Sequence, residues 1–500
     1  MKGEYPNDRV HNRMQYRVDI DGLRAIAILL VLIYHGGLAL FPSGFVGVDV
    51  FFVISGFLIT GIIHQSVSTN NFSFLDFYKR RLWRLQPALI CCMLFAMIVT
   101  LIYFLPDDLI EFSRSARKTS LFISNLFFNK TTTGYFSPNI QELPLLHTWS
   151  LSIEWQCYFI LPILLYGLYT FCNKKMLLPL MGLTTGLCLV LSWHYSHQVP
   201  AQTYYQFSSR AFEFLIGACI ALMPKPDFKL PAFWVNALGL MAVFSVIFVA
   251  SRQNIALGYP NEYALLVCLA IACLIALGGW YPKALIFKLL GCRPLVFIGL
   301  ISYSLYLWHW LIFSLLRYQG LLSQPYQLVL AYVSIFLLAF LSWKYIEKPS
   351  RKFKSLPFSY ALIGLVIAPV IAIHSMDYLL KANQGFPKRF SGELVALYKQ
   401  LDAYNRPSRT QCVSKDIGTE ERDKICMIGA THSRSKGLLI GDSFANHYWG
   451  FMETLAWDAD ISILTQAVSS CMTLPGILHY DWWQFKDQVY TECRDKTAQY

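Results

Sequence analysis

Arg24 and His35 stand eleven residues apart inside one apolar block, and their types make them the first candidates for chemistry in this chain. At 100° per residue that spacing returns both side chains to within about 20° on one helix face, with a rise of about 16 Å between them. Ionisable groups inside apolar spans are costly and are functional candidates by default. An arginine at one rim, with its planar fork of donors, suits a phosphate or nucleotide. A histidine deeper in the span, expected near the bilayer middle, suits proton transfer because its pKa is adjustable around neutrality. The plain structural alternative is a snorkelling anchor and a packing histidine.

Further polar groups recur at the edges of other apolar blocks. Asp49 opens the second block, which contains Phe51-Phe52-Val-Ile-Ser55-Gly56, and the basic run Lys79, Arg80, Arg81 and Arg84 follows before Pro87. These basic residues also serve as ordinary topology signals. His147-Thr-Trp149-Ser150-Leu-Ser152-Ile-Glu154 opens a fourth block and places a carboxylate about one turn inside its outer edge. Arg210 and Glu213, at i and i+3, are spaced to pair with each other. Tyr303-Ser304-Leu-Tyr306-Leu-Trp308-His309-Trp310 sets a second histidine, His309, in the ninth block. His194 and His197 have metal-like spacing without an acidic neighbour, so no metal is expected. Far downstream, Gly441-Asp442-Ser443 follows a strand-like run. A serine on that turn stands where a nucleophile needs to be, with backbone N–H groups of the next helix near an oxyanion. On its own the triplet is more often a simple turn, and its place after a hydrophobic strand in an extracytoplasmic domain brings the two readings level.

The elements that must hold these residues are membrane spans. Of 500 residues 55% are hydrophobic and 14% are charged, against about 25% charged in soluble domains, and mean hydropathy is +0.42. Eleven blocks of spanning length are expected, at about 23–41, 46–65, 87–105, 150–170, 176–193, 209–223, 232–250, 263–280, 295–317, 326–345 and 358–378. Basic residues collect on alternate sides: Arg9, Arg13, Arg17; the Lys79–Arg84 run; Lys174, Lys175; Lys225, Lys229; Lys283, Lys288, Arg293; and Lys344 to Lys354. Only Arg252 and Arg317 break the pattern. The N-terminus is therefore expected in the cytoplasm, and everything after about residue 380 outside. The formal net charge of +12 is spread over loops rather than gathered on one face, which excludes a nucleic-acid partner. The loop at 106–149 is expected outside, with its Phe122–Phe128 stretch on the bilayer surface.

The organisation expected is a cytoplasmic segment 1–22, a membrane domain 23–380, a linker 381–395 and an α/β domain 396–500. Composition turns soluble after the last block. A strand Gly437–Ile440, a helix near 445–457 and a strand near 461–465 make a β-α-β opening. Nine of the thirteen cysteines lie in or beside apolar blocks, where they read as small buried hydrophobes. The other four, Cys412, Cys426, Cys471 and Cys493, suggest two disulfides in an oxidising compartment. Of the three pairings, Cys412–Cys426 with Cys471–Cys493 is the expected one.

Taken together, these segments resemble the acyltransferase 3 family of integral membrane acyltransferases. More narrowly, they resemble its bacterial branch with a fused periplasmic SGNH-hydrolase-like domain, as in O-antigen O-acetyltransferases. The resemblance covers about residues 16–355 and, more thinly, 437–450. It rests on Arg24-x10-His35, the Phe-Phe-x-x-Ser-Gly segment with Ser55, the run to Arg84, Trp149 to Glu154, Arg210 with Glu213, and Ser302 through His309. A second glutamate common in the family is Trp155 here. The resemblance implies a multi-span α-helical membrane protein of about 11 transmembrane helices with a C-terminal α/β SGNH-like domain, incomplete at residue 500, because the Asp-x-x-His block of that fold is expected beyond it. It implies no bound cofactor, with acyl-CoA (acetyl-CoA) as cytoplasmic donor. The acceptor would be a polysaccharide or lipid-linked glycan such as O-antigen in lipopolysaccharide, reached across the bacterial inner membrane. His35 would be the catalytic residue, Arg24 its companion or a donor-binding group with Lys79, Arg80, Arg81 and Arg84, and Ser443 the outer nucleophile on the Gly441-Asp442 turn. Ser55, Glu154, Arg210, Glu213 and His309 would support the membrane site. Two other functions compete: a flippase of lipid-linked sugar without acyl chemistry, and an esterase merely anchored by the spans. A mere anchor would not need so many ionisable groups inside its spans.

Overall fold

The computed structural model describes residues 16–132, 138–405, 426–441 and 443–467. The chain divides into two units, Met1–Phe386 and Pro387–Tyr500.

The first unit is helical. Among the described residues eight helices are long and apolar enough to cross a membrane: Gly44–Ser68, Phe74–Tyr103, Thr148–Phe171, Lys174–Gln198, Ala232–Ala250, Glu262–Trp280, Pro325–Ser355 and Phe358–Ala382. Arg293–Leu300 and Ser302–Tyr318, bent by 65°, make a ninth if they form one broken span. The expected eleven are not reached by this measure, for two local reasons. The Val18–His35 helix carries Asp19, Asp21 and Arg24 within its 18 residues. Phe207–Leu222 has 16 residues, or about 24 Å, short of the ~30 Å of hydrocarbon. Both are largely buried in the protein, where charge and shortness are tolerated. Leu183, Leu187, Val190, Leu240 and Phe244 face outward, as a lipid-facing surface requires.

Two local features set the helix positions. The first helix was expected to run on to about residue 41, but it stops at His35. Gly37 takes φ +77°, its N–H donates to the Tyr34 carbonyl at 3.0 Å, and the Leu38 N–H reaches back to Ile33 at 3.3 Å. Paired glycines thus close the helix in the left-handed turn that favours glycine. His35 is the last residue of its helix rather than its middle. In the second feature, Gly47–Ser68 and Phe207–Leu222 pack backbone to backbone. A Cβ on Gly56 would stand 1.9 Å from the Phe214 carbonyl oxygen, and one on Gly217 would stand 2.0 Å from that of Val53. Small residues at such crossings let membrane helices approach closely.

The Phe122–Phe128 stretch is anchored on the helical unit, with Leu126 left exposed. Ser124, Asn125 and Phe128 are fully buried. The Ser124 hydroxyl meets Ser152 at 2.8 Å, and Gln156 donates to the Asn125 side chain at 2.9 Å. The polar residues of this stretch draw it onto the Thr148–Phe171 helix.

In the second unit a helix spans Gly392–Asn405, across the expected end of the linker. A three-stranded sheet follows, of β1 (Met427–Gly429), β2 (Lys436–Gly441) and β3 (Ser462–Ala467), in the order β1-β3-β2. β3 runs antiparallel to β1 and parallel to β2, with Lys436 opposite Ser462 and Gly441 opposite Ala467. The crossover between β2 and β3 is the helix Ser443–Asp458. Its core is Ile428, Ala456 and Ile463. Cys426 is buried and disulfide-bonded. The nine cysteines of the helical unit are free; Cys412, Cys471 and Cys493 of the expected pairing lie outside the described residues.

Candidate active site

Two adjoining cavities divide the membrane-domain residues between them. The first, of about 740 Å³, is lined by Arg24, Ser55, Arg81, Arg84, Glu154 and Tyr158, among others. The second, of about 1300 Å³, is lined by His35, His147, Trp149, Tyr204, Trp310 and Arg317, among others. Val48 and Tyr306 belong to both walls, so these two side chains separate the cavities. The Tyr306 hydroxyl donates to the His147 carbonyl at 3.0 Å and meets the Ser150 hydroxyl at 2.5 Å.

The arginine cavity is strongly cationic. Arg24 Nη1 pairs with Asp21 at 3.3 Å. The other Asp21 oxygen accepts from the Tyr16 hydroxyl at 2.5 Å, a bond that, with burial, pushes the Tyr16 pKa up to about 12. Arg81 is buried against the rings of Phe77 and Tyr158. Glu154 belongs here and not at the opposite edge of the spans, because it lies six residues, about 9 Å, into its helix. Its Oε1 accepts from the Ser55 hydroxyl at 2.5 Å and from the Tyr158 hydroxyl. The basic run is split by helix geometry. Arg81 and Arg84 turn inward, whereas Lys79 pairs with Asp76 at 2.9 Å and Arg80 is exposed, and neither of those two lines the cavity.

His35 meets a partner 274 residues away: its Nδ1 lies 3.1 Å from His309 Nε2. The tautomers follow from the surroundings. His309 Nδ1 faces the Tyr306 carbonyl at 2.7 Å and that of Leu305 at 3.2 Å. Carbonyl oxygens only accept, so this nitrogen carries the proton. The Nε2 of neutral His309 is therefore an acceptor, His35 Nδ1–H donates to it, and the free lone pair of neutral His35 sits on Nε2. Such a backbone-anchored partner is how a catalytic imidazole is held in one tautomer. Trp310 packs edge-on against His35 with ring centroids 4.7 Å apart, and Arg317 Nη2 donates to the His35 carbonyl.

Arg210 and Glu213 form a separate buried network. Arg210 Nη1 binds Glu213 at 3.0 Å, the expected i, i+3 pair, and also Asp49 at 2.7 Å. Tyr259 donates to the other Asp49 oxygen at 2.5 Å. The Arg210 guanidinium lies between the rings of Trp149, Tyr204 and Tyr259. Trp149 and Tyr204 also line the His35 cavity, so this network backs one wall of that cavity.

Several contributors were not legible beforehand. Arg317 stood out only as a break in the charge pattern, His147 only as the start of a segment, and Tyr306 and Val48 not as a partition. His197 Nδ1 lies 2.8 Å from its own helix carbonyl at Trp193. Among the described residues no group of His, Cys, Asp or Glu is placed to hold a metal.

In the second unit Gly441 ends β2 and Ser443 opens the following helix. A Cβ on Gly441 would stand 2.7 Å from that of Ala445, so glycine admits the tight strand-to-helix turn. Asp442, Cys412, Cys471 and Cys493 lie outside the described residues.

Residues 17–344 match the family described as acyltransferase domain, and residues 411–500 match the SGNH domain fused to AT3 domains. The chain is 30% identical over 466 residues to O-acetyltransferase OatA of Staphylococcus aureus (strain NCTC 8325 / PS 47), covering 86% of this chain and 73% of the relative. It is 31% identical over 356 residues to peptidoglycan O-acetyltransferase OatA of Listeria monocytogenes, covering 68% and 56%. No solved structure matches.

Proposed function

Because this chain belongs to the acyltransferase 3 family with a fused SGNH domain, a family of multi-pass membrane acyltransferases, we propose that it carries acetyl from cytoplasmic acetyl-CoA to a sugar hydroxyl of an envelope glycan outside the inner membrane. The observation that carries the reading is the pair of adjoining cavities. One offers Arg24, Arg81 and Arg84 to the phosphates of a CoA. The other offers a histidine held in one tautomer, and Val48 and Tyr306 line both.

The positive-inside pattern supports a cytoplasmic arginine cavity and an outer His35 cavity. With its phosphates on the arginines, a CoA extends its thioester past Tyr306. An incoming hydroxyl oxygen bonds to the acyl carbon as the carbon–sulfur bond breaks. The hydroxyl proton passes to His35 Nε2 and from there to the thiolate, which leaves as the CoA thiol. His309 holds the His35 ring, and Ser443 in the second unit completes delivery to the glycan. Both lipopolysaccharide O-antigen, which the sequence resemblance suggests, and peptidoglycan, named for the Listeria relative, present such hydroxyls.

Inverted membrane vesicles given acetyl-CoA labelled in its acetyl group test this. Label is expected in peptidoglycan or lipopolysaccharide with the wild-type chain and absent with His35→Ala at equal abundance. Full labelling by His35→Ala refutes the mechanism. Sugar movement without any label transfer makes the chain a flippase.

A further inference from the structure

His147 has no task in the mechanism above, yet its ring is placed as a ligand group. It stands at the N-cap of Thr148–Phe171 without capping through its side chain, and only its backbone carbonyl is engaged, by Tyr306 and Ser150. The residue is 3% exposed, and among the described residues neither ring nitrogen has a hydrogen-bond partner. His147 lines the His35 cavity, and its ring centroid stands 6.0 Å from that of His309 and 5.7 Å from that of Tyr306. Buried polar groups are almost always paired, and one left open asks for an explanation. Both nitrogens are buried as well as unpaired, and the residue that carries them lines the cavity; a bound group that both donates and accepts would satisfy them.

We propose that His147 holds the hydroxyl that receives the acyl group. The inference rests on the acyl-transfer reading above. A neutral imidazole offers one donor and one acceptor, which matches an alcohol. A sugar adds neighbouring hydroxyls for the second nitrogen and C–H faces for Trp149 and Tyr204 in the same wall. His147 orients the hydroxyl oxygen toward the acyl carbon. Its proton still leaves through His35 to the departing thiolate, so the atoms balance as before.

The test measures partition rather than rate. Vesicles carrying the full chain receive labelled acetyl-CoA, and acetyl in ester linkage is compared with free acetate for each thiol released. In His147→Phe, which keeps bulk and removes both nitrogens, the esterified fraction is expected to fall about tenfold in favour of acetate, the loss of about two neutral hydrogen bonds. His147→Asn, which keeps a donor and an acceptor, is expected to recover most of it. Ester-linked acetyl is counted on every hydroxyl carrier and not on the final glycan alone, because the mechanism above leaves delivery to the glycan to Ser443. An esterified fraction in His147→Phe equal to wild type overturns the proposal whatever the total rate. Thiol release abolished in both His147 variants also overturns it, by assigning the ring to the donor step or the fold. A wild-type chain that releases no thiol refutes the acetyl-CoA reading, and this inference with it.

Discussion

Removing the acceptor behind His35 is the sharpest trial of the histidine pair. In His309→Leu the Nδ1–H of His35 loses its partner 3.1 Å away. An unsatisfied buried donor costs about 1–3 kcal/mol. The ring escapes that cost by moving its proton to Nε2, and then the nitrogen that should take the hydroxyl proton has no lone pair. Either the strained tautomer is used or the wrong one is populated, so the barrier rises by about the same 1–3 kcal/mol. At 1.36 kcal/mol per factor of ten, that is about a 5- to 150-fold fall in kcat. His309→Gln supplies a carbonyl oxygen near the position of the lost nitrogen and is expected to recover at least half of the lost free energy. Acetyl transfer by detergent-solubilised full-length chain, at equal protein and saturating acetyl-CoA, reads both variants. A Leu variant within twofold of wild type, or a Gln variant as damaged as Leu, refutes the tautomer argument.

Three further outcomes are expected. Arg24→Ala loses a charge-assisted contact worth about 1.5–3 kcal/mol and raises KM for acetyl-CoA about 10- to 150-fold, while Lys79→Ala, outside the cavity, stays within twofold; steady-state kinetics in vesicles compares them, and equal effects would dissolve the distinction. Gly56→Ala forces a Cβ to 1.9 Å from a backbone carbonyl and lowers stability by about 1–3 kcal/mol, seen as earlier thermal unfolding in detergent, whereas Gly167→Ala, with nothing within 4 Å, leaves the transition in place. Ser443→Ala is expected to retain CoA thiol release and lose glycan acylation; if both persist, the second unit binds at most.

Amino-acid order alone determined what depends on a single segment meeting lipid or water. Long apolar blocks must become helices because hydrocarbon satisfies no backbone group, and the charge pattern oriented them. The eleven-residue interval set Arg24 and His35 on one helix face, and strand-like and helical periods around Gly441 announced the β-α-β. The span count was blurred where burial in protein, rather than lipid contact, tolerates the charges of Val18–His35 and the shortness of Phe207–Leu222. Tertiary structure alone decided which faces meet. His35 joins His309 across 274 residues, and Arg210 finds Asp49 across 161. Arg81 and Arg84 part from Lys79 and Arg80, and Val48 and Tyr306 come to divide two cavities. Lipid tails are as apolar as leucine, so no hydrophobic force selects one helix face over another. The choice falls to close glycine contacts and rare polar pairs between distant segments, and no periodicity within one segment records which partner its polar residue will meet.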